Sequence, residues 1–587
     1  MEKKFIILII LMSLLNPLQY VILAVYHPQD TIFNGMGTDD GIILTLIKIH
    51  DFGFNNPWIL SSDGIKENIF NNPTLGPVFT MLPLSFFYLL TGIEPLAVLV
   101  IFKFFSSVFF LVVSYYMIEA LVRDKRKSRI AFFIYIITAG LGSIIVLFQI
   151  MMNPSKIFTI FSLFGFGVGT YRVIDFYYSF PLALGLLAVL LFMKNKYYLS
   201  GLSLGLAVFF YPWYGFAAFL IIFVYSLIYQ KVARIMKTLL PTVPFGLVWF
   251  MIYVNSAEFF RNYIDIVKMT SGIVLPSIVI GLGLPVIFLI YELRKLFDRK
   301  IYIFLWLSAI SLLSLSQISQ SYWANVSGIF KSMIPIMEFV NTYSILFELP
   351  FFILFVKLVY DVSRLNIKKD YLFVLCWFLL ALFLLLAPMK YVPWIPIKIS
   401  SFMNIPIAII ATYGIIHFAS RYKLLSARNI IILITILSLP SLVLFYIYEQ
   451  NTARYDASAG EIQNFFFSKS DYEALRFMKN EPMGVVISSG EIGSYLPYYS
   501  NKKSLLTTAN RTDAVFNISE KEHDFKILYS DSGDAEKINI IRKYNISYIF
   551  YGTFENRIAS FHPENVTYFK EIYRNNGTSI YRVLVSE

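Results

Sequence analysis

The sequence predicts a polytopic α-helical membrane protein of about 13 transmembrane helices that carries one extracytoplasmic α/β domain at its C-terminus. Hydrophobic residues make up 57% of the 587 residues and charged residues only 15%, whereas soluble domains are about half apolar and a quarter charged. The apolar residues are concentrated in runs of about 20, the length that crosses a bilayer. After residue 448 the composition changes to a mixed polar and apolar pattern.

Basic residues indicate the orientation of the chain rather than a nucleic-acid partner. The net charge of +12 comes from short clusters between apolar runs, and such clusters mark the cytoplasmic side of a membrane. They are Lys3-Lys4 and residues 123–129, 194–196, 231–237, 294–300, 364–369 and 421–428. The single cysteine, Cys376, excludes a disulfide within the chain and a cysteine-based metal site.

Thirteen apolar runs are long enough or suitably placed to span the membrane. The predicted spans are 5–26, 95–122, 130–151, 175–193, 198–212, 214–230, 238–254, 273–293, 301–317, 338–362, 370–388, 401–420 and 429–448. Residues 77–91 are apolar too, but a crossing there would turn the basic cluster at 123–129 outward. We therefore expect an interfacial or re-entrant helix at 77–91, which closes a long outer loop, residues 27–94.

An odd number of spans with a cytoplasmic N-terminus places the C-terminal region outside. The sequence thus divides into a transmembrane domain, residues 1–448, and an extracytoplasmic domain, residues 449–587. Within the latter, helical patterns alternate with β-branched strand patterns, and an Asn-Asn-Gly turn predicts a terminal hairpin. The predicted elements are helices at 471–479 and 534–544, strands at 485–488 and 546–551, and a hairpin over 568–585.

The first outer loop contains an acidic pair, Asp39-Asp40, between Gly37-Thr38 and Gly41. Carboxylates beside a membrane surface are costly to place, so their presence suggests a function. They could act as a general base or bind a metal through oxygen ligands. The alternative is a solvated turn, because Asp and Gly are common turn residues.

Other polar and aromatic residues lie at predicted outer helix ends. Arg172 and Asp175 precede the span at 175–193, where a carboxylate is also favoured by the helix dipole. Tyr211 and Trp213 surround the turn between two spans. They are candidate functional residues, but such aromatic residues are also typical of an interfacial aromatic belt. Lys390 and Lys398 flank a late span, where they form either a phosphate clamp or snorkelling side chains.

Taken together, these features resemble the GT-C superfamily of membrane glycosyltransferases, and locally the oligosaccharyltransferase catalytic subunit. The segments that carry the resemblance are TDDGIILTLIKIHDFGF, YRVIDFYYSFPLALGLLAVLLF, YPWY and KISSFMNIPIAIIATYGIIHF. The outer-domain segment GVVISSGEIGSYLPYYSNKKSLLTTANR is similar in layout to the family region around WWDYG. The WWDYG motif itself is replaced by residues 488–493, SSGEIG, which argues against recognition of the family's peptide acceptor.

The resemblance implies inverting transfer of a sugar from a polyprenyl-phosphate-linked donor to a glycan, lipid or protein acceptor outside the plasma membrane. Asp40, Asp39 and Asp175 would be catalytic. Members of the superfamily differ in whether they use a divalent metal such as Mg²⁺ or Mn²⁺, and here Asp40 and Asp175 would hold it. By the same resemblance, Lys398, Lys390 and Arg172 would bind the donor phosphate, whereas Glu491, Tyr211 and Trp213 would bind the acceptor.

Two other functions remain open at this point. A transporter or flippase of lipid-linked sugars would need the same spans, although the sequence shows no repeated halves of the kind common in transporters. A non-catalytic membrane scaffold would have no need of paired outer-loop carboxylates. No nucleotide-binding, zinc-protease or serine-hydrolase motif is present, so these soluble enzyme classes are excluded.

Overall fold

The structure is a computed structural model, and it describes part of the chain in separate ranges. The described residues are 3–26, 31–32, 44–52, 77–137, 179–255, 369–386, 402, 404–421, 426, 428–432, 435–436, 453–456, 461–464, 467–506, 518–530, 533–552, 555–558 and 563–584. The predicted spans at 273–293, 301–317 and 338–362 lie outside them.

The described α-helices follow the apolar runs of the sequence closely in the first half of the chain. They are α1 Lys3–Tyr26, α2 Pro77–Thr91, α3 Pro95–Val122, α4 Lys125–Ile137, α5 Ser179–Met193, α6 Tyr197–Phe210, α7 Pro212–Ile228, α8 Val232–Asn255, α9 Lys369–Leu386, α10 Asn404–Arg421, α11 Lys469–Met478, α12 Gly490–Ser500, α13 Ile518–Leu528, α14 Asp534–Tyr544 and α15 Glu555–Ile558.

Short strands complete the described elements. They are β1 Thr31–Ile32, β2 Ala453–Asp456, β3 Glu461–Asn464, β4 Phe467–Ser468, β5 Val485–Ile487, β6 Lys503–Ser504, β7 Ile546–Tyr551, β8 Phe569–Arg574 and β9 Ser579–Val583. Two units emerge from the contacts: one comprises residues 1–14, 103–249 and 263–448, and the other comprises 15–102, 250–262 and 449–587. The division at 448/449 into a membrane domain and an outer domain stays a prediction.

Among the described helices, α3 is long and apolar enough to cross a bilayer by length and composition. The apolar helices α5, α6 and α7 are shorter, at 15, 14 and 17 residues. The helix predicted at 77–91 is present as α2, 15 residues long, with Pro83 inside it. The total of thirteen spans, and the interfacial position of α2, stay predictions.

In the first unit the described helices pack in antiparallel neighbours joined by very short connections. A single residue, Tyr211, separates α6 from α7, and three residues separate α5 from α6 and α7 from α8. At Asn195 and Gln230 the chain adopts the left-handed conformation, with φ of 60° and 57°. The following amides, of Lys196 and Lys231, donate back to carbonyls five residues earlier, which closes each helix end.

Polar side chains join several of these helix ends. Arg123, at the end of α3, donates to Asp370, at the start of α9, over 2.9 Å, and the hydroxyl of Tyr229 donates to the same carboxylate. Lys231 donates to Asn195 over 2.8 Å. Residues from the basic clusters at 123–129, 194–196 and 231–237 are thus joined to neighbouring helix ends, and their predicted location on the cytoplasmic side stays a prediction.

The second unit contains a five-stranded sheet in the order β6-β5-β7-β9-β8. β5 runs parallel to β6 and β7, while β9 runs antiparallel to β7 and β8. Buried side chains of α13 and α14 share one apolar cluster with Ile487 and Ile549. Those of α11 and α12 share another with Val486 and Phe550. Alternate strand residues therefore enter different clusters, as expected for a sheet covered by helices on both faces.

Candidate functional site

The predicted site residues fall into two groups with respect to the described structure. Asp39, Asp40, Arg172, Asp175, Lys390 and Lys398 lie outside the described residues, so their predicted roles stay predictions. Glu491 lies in the first turn of α12, in the second unit. Tyr211 and Trp213 lie at the α6–α7 connection, in the first unit. Within the described residues, no group of three or more His, Cys, Asp or Glu side chains could hold a metal.

Residues 44–52, which begin four positions after Asp40, are firmly packed within the second unit. Residues 44–48 form a helical turn that continues into a 3-10 helix, Ile49–Phe52. Leu44, Leu46, Ile47 and Ile49 are at most 1% exposed. Burial of side chains on successive positions fixes the segment on all sides, so it is a structured part of the unit rather than a surface loop.

Lys48 is the charged residue at the centre of this segment, and it is only 8% exposed. Its ammonium donates to the Tyr498 carbonyl oxygen over 3.0 Å and to Asn501 Oδ1 over 2.8 Å. Asp51 Oδ2 lies 3.6 Å away. Two hydrogen-bond acceptors and one ion-pair partner thus surround the ammonium, which lowers the cost of burying a lysine.

These contacts place Lys48 at the C-terminal end of α12. Asn501 is the C-cap of that helix, in the left-handed conformation at φ 55°. Carbonyl oxygens at a helix C-terminus carry partial negative charge, so a cation there is stabilised. Burial lowers the pKa of Lys48, while the Asp51 carboxylate opposes that shift.

Glu94 provides a second link from the same stretch of chain to α12. The Tyr498 hydroxyl donates to Glu94 Oε1. Burial, followed by this bond to Glu94, raises the pKa of Tyr498. Nearby, the rings of His50 and Tyr88 lie 5.3 Å apart, which joins the 3-10 helix to α2. The segments on both sides of α2 are therefore attached to the last turn of α12.

The opposite end of α12 is formed by the SSGEIG segment, residues 488–493. Ser488 and Ser489 follow β5 and are buried. Ser489 is the N-cap of α12, and its hydroxyl accepts from the Ile492 amide. Its own amide donates to Glu555 Oε1 over 2.6 Å, while the Gly552 amide donates to Glu555 Oε2 over 3.0 Å.

Glu555 therefore joins the carboxyl ends of the neighbouring parallel strands β5 and β7. Its side chain is fully buried. Burial raises the pKa of Glu555 to about 7, and the Asp471 carboxylate adds to the shift, whereas the bond from Ser489 opposes it. The carboxyl ends of parallel strands are common ligand sites, so this edge of the sheet is a candidate ligand site.

Gly493 explains the close fit of α12 against the strand that follows it. A Cβ atom at this position would lie 2.0 Å from the Leu506 carbonyl oxygen and 2.6 Å from Ser504 Oγ. No side chain fits at those distances, so glycine is required here. The final glycine of the SSGEIG segment thus has a packing role in this fold.

Tyr211, predicted to bind an acceptor, occupies a helix junction. It is both the C-cap of α6 and the N-cap of α7, in extended conformation. It is 5% exposed, and its ring centre lies 4.9 Å from that of Tyr214. The predicted turn at Tyr211-Pro212-Trp213 is present, and the role of these aromatic residues in acceptor binding stays a prediction.

Sequence reasoning missed Lys48, Glu94 and Glu555. A signal was available for Lys48, because it interrupts the apolar run ILTLIKI, where a solvated lysine would be out of place. Glu555 gave no signal, since its two partners are backbone amides that become neighbours only when β5 and β7 pair.

Comparison with solved structures shows a likeness to crystal structures of the Archaeoglobus fulgidus oligosaccharyltransferase. The apo form matches with a TM-score of 0.50 and 14% identity over 98% of this chain and 74% of its own. The form tethered through a disulfide bond to an acceptor peptide containing the NVT sequon matches with a TM-score of 0.51 and 14% identity, over 99% of this chain and 74% of its own.

In the sequence comparisons, no protein-family model and no curated protein sequence matches the chain. At 14% identity the structural likeness concerns the fold alone. It extends over nearly the whole chain, including the helices of the first unit and the sheet of the second. The fold of this chain is therefore similar to that of an archaeal oligosaccharyltransferase.

Proposed function

We propose that this chain is a membrane glycosyltransferase of the GT-C type. It transfers a sugar from a polyprenyl-phosphate-linked donor to an acceptor on the outer side of the plasma membrane, with inversion at the sugar carbon. The observation that carries the proposal is the fold likeness to the archaeal oligosaccharyltransferase, with a TM-score of 0.51 over 99% of this chain. A fold alone hosts many functions, so the proposal also depends on the acidic pair and its surroundings.

Asp40 is the proposed general base or metal ligand, assisted by Asp39 and Asp175. A base takes the proton of the acceptor nucleophile as the new glycosidic bond forms and the bond to the lipid phosphate breaks. If a divalent cation is bound, Asp40 and Asp175 would hold it, and the cation would neutralise charge on the departing phosphate. Lys398, Lys390 and Arg172 are the proposed contacts of the donor phosphate.

Packing of the segment that begins at Leu44 supports a catalytic role for the acidic pair. It starts four residues after Asp40 and is held by buried aliphatic side chains and by Lys48. Catalytic groups need a rigid support, because misplacement by about 1 Å can cost ~100-fold in rate. A solvated turn would have no need of such a support.

The acceptor proposed here differs from the sequon peptide of the tethered oligosaccharyltransferase. By the resemblance in sequence layout, SSGEIG would stand where that family carries WWDYG, so the proposed acceptor is a glycan, a lipid or a protein recognised in another way. Glu491, in the first turn of α12, and the aromatic residues Tyr211 and Trp213 are the proposed acceptor contacts. We expect Glu491→Gln to alter acceptor use more than the chemical step.

The test is transfer of radiolabelled sugar from polyprenyl-phosphate donors in membranes that contain each variant at equal amount. Asp40→Asn keeps size and hydrogen bonding but removes the negative charge. We expect transfer to fall by at least ~100-fold, the scale for loss of a general base. Asp39→Asn is the matched control and should cost less. Unimpaired transfer by Asp40→Asn would refute the assigned role and favour a transporter of lipid-linked sugars.

A further inference from the structure

Helix α12 is held at its two ends by different parts of the second unit. Its N-terminal turn carries the SSGEIG segment, including Glu491, and is anchored through Ser489 to Glu555. Its C-terminal turn, Tyr498 to Asn501, receives Lys48 and Glu94 from the first outer loop. At about 1.5 Å per residue, the two ends are ~15 Å apart.

The contacts of Glu94 and Lys48 with the C-terminal end of α12 attach different parts of the chain to that helix. Glu94 follows α2 and lies at the far end of the outer loop from the acidic pair. Lys48, by contrast, lies eight residues after Asp40 and next to the 3-10 helix. Its partners come from two sources: it donates to Tyr498 and Asn501 at the end of α12, and it forms an ion pair with Asp51 on its own segment.

From this arrangement we infer that Lys48 is a positioning residue, whose ammonium fixes residues 44–52, the described segment that begins four positions after Asp40, against the helix that carries the proposed acceptor segment. The inference rests on the proposed function and deepens it: Lys48 aligns the base with the acceptor but touches neither sugar nor phosphate. Lys48 donates to two acceptors at the C-terminus of α12 and forms an ion pair with Asp51 of its own segment, so it holds that segment in one register along α12.

The principal variant is Lys48→Met, which keeps the length and apolar character of the stem but removes the three donors. Lys48→Arg retains a cation with several donors and serves as the conservative rescue. Lys521→Met is the matched control, because Lys521 is also a buried lysine of the second unit, 2% exposed, but lies on α13. Its loss tests the general effect of removing a buried cation.

The full-length protein is compared in two measurements, each per amount of folded protein. In Lys48→Met, the hydrogen-exchange rates of the amides of residues 44–52 should rise by ~10-fold or more, while the exchange rates of the β7 amides stay unchanged. In the transfer assay, kcat should fall ~10- to 100-fold with the acceptor KM within about threefold, as expected for misplacement of the base. Lys48→Arg should recover at least part of the lost kcat, and Lys521→Met should leave it within about threefold.

Each contrary result has a defined meaning. Unchanged exchange of residues 44–52 in Lys48→Met would overturn the anchoring role. Faster exchange with an unchanged kcat would overturn the positioning role, and so would an equal loss of kcat in Lys521→Met. Full transfer by Asp40→Asn combined with a low kcat of Lys48→Met would refute the proposed base, yet it would support Lys48 as the anchor of this loop.

Discussion

Glu555 gives the second unit a stability that should depend on pH. Its carboxyl group bridges the Ser489 and Gly552 amides and is fully buried. Burial raises its pKa from the ordinary 4.5 to about 7. A carboxyl with a raised pKa stabilises the fold fully below the unfolded-state value, and this contribution is lost as pH rises through the folded-state value.

The size of the pH effect on stability follows from the ordinary and the folded-state pKa values of Glu555. Each pH unit between 4.5 and about 7 corresponds to ~1.4 kcal/mol, so ionisation of Glu555 costs about 3 kcal/mol of local stability. Burial raises the pKa of the neighbouring Tyr529 and Tyr551 above the ordinary 10.0, so neither hydroxyl ionises between pH 4.5 and about 7.

Hydrogen exchange of the full-length protein between pH 5 and pH 8 measures this loss of local stability. The exchange rates are first corrected for the intrinsic pH dependence of amide exchange. Protection of residues 485–492 and 546–552 should fall on the order of 100-fold with rising pH, since ~1.4 kcal/mol is tenfold. Glu555→Gln cannot ionise, so its protection should be lower at pH 5 and flat with pH. A flat profile in the unmodified protein, or an equal slope in Glu555→Gln, would refute the reasoning.

Two further predictions concern packing and topology. Gly493→Ala should destabilise the second unit by about 1–3 kcal/mol, because its Cβ would meet the Leu506 carbonyl at 2.0 Å. Thermal unfolding checks this against Gly533→Ala, where no atom lies within 4 Å of the added Cβ, and equal melting temperatures for the two variants would contradict it. In a Cys376→Ser background, a cysteine at Arg126 should resist an impermeant thiol reagent in intact cells, since 123–129 is predicted to be cytoplasmic. Labelling there would overturn the placement of 77–91 as non-spanning.

Hydrophobic runs and basic clusters predicted the helices of the first unit well. The helix at 95–122 has the predicted bounds, and the turn at Tyr211 is where the Tyr-Pro-Trp sequence places it. In the second unit the helix at 534–544 and the strand at 546–551 agree with the predictions residue for residue. Both have strong local signals, an acidic first turn in one case and a β-branched and aromatic run in the other.

Helix α12 shows why other elements could not be predicted. Its sequence, GEIGSYLPYYS, contains two glycines and Pro497, all of which disfavour a helix interior. The helix forms because Gly493 permits close contact with residues 504–506, while Ile492, Tyr495 and Leu496 are buried in one of the two apolar clusters. Such tertiary contacts override local propensity, and they are not readable from the segment itself. Lys48 and Glu555 were missed for the same reason, since their partners are distant in sequence.

The glycine-free connection at residues 194–196 has a consequence for how the chain is made. The backbone of α5 closes on Lys196 through its own hydrogen bonds, and α6 begins at the next residue. Ser200 and Ser203 of α6 then donate to carbonyls of α5 only 12 and 19 residues earlier. A ribosome adding about 5–20 residues per second delivers both helices within seconds. The pair can therefore assemble during synthesis as a helical hairpin, before the distant partners of α5 have been translated.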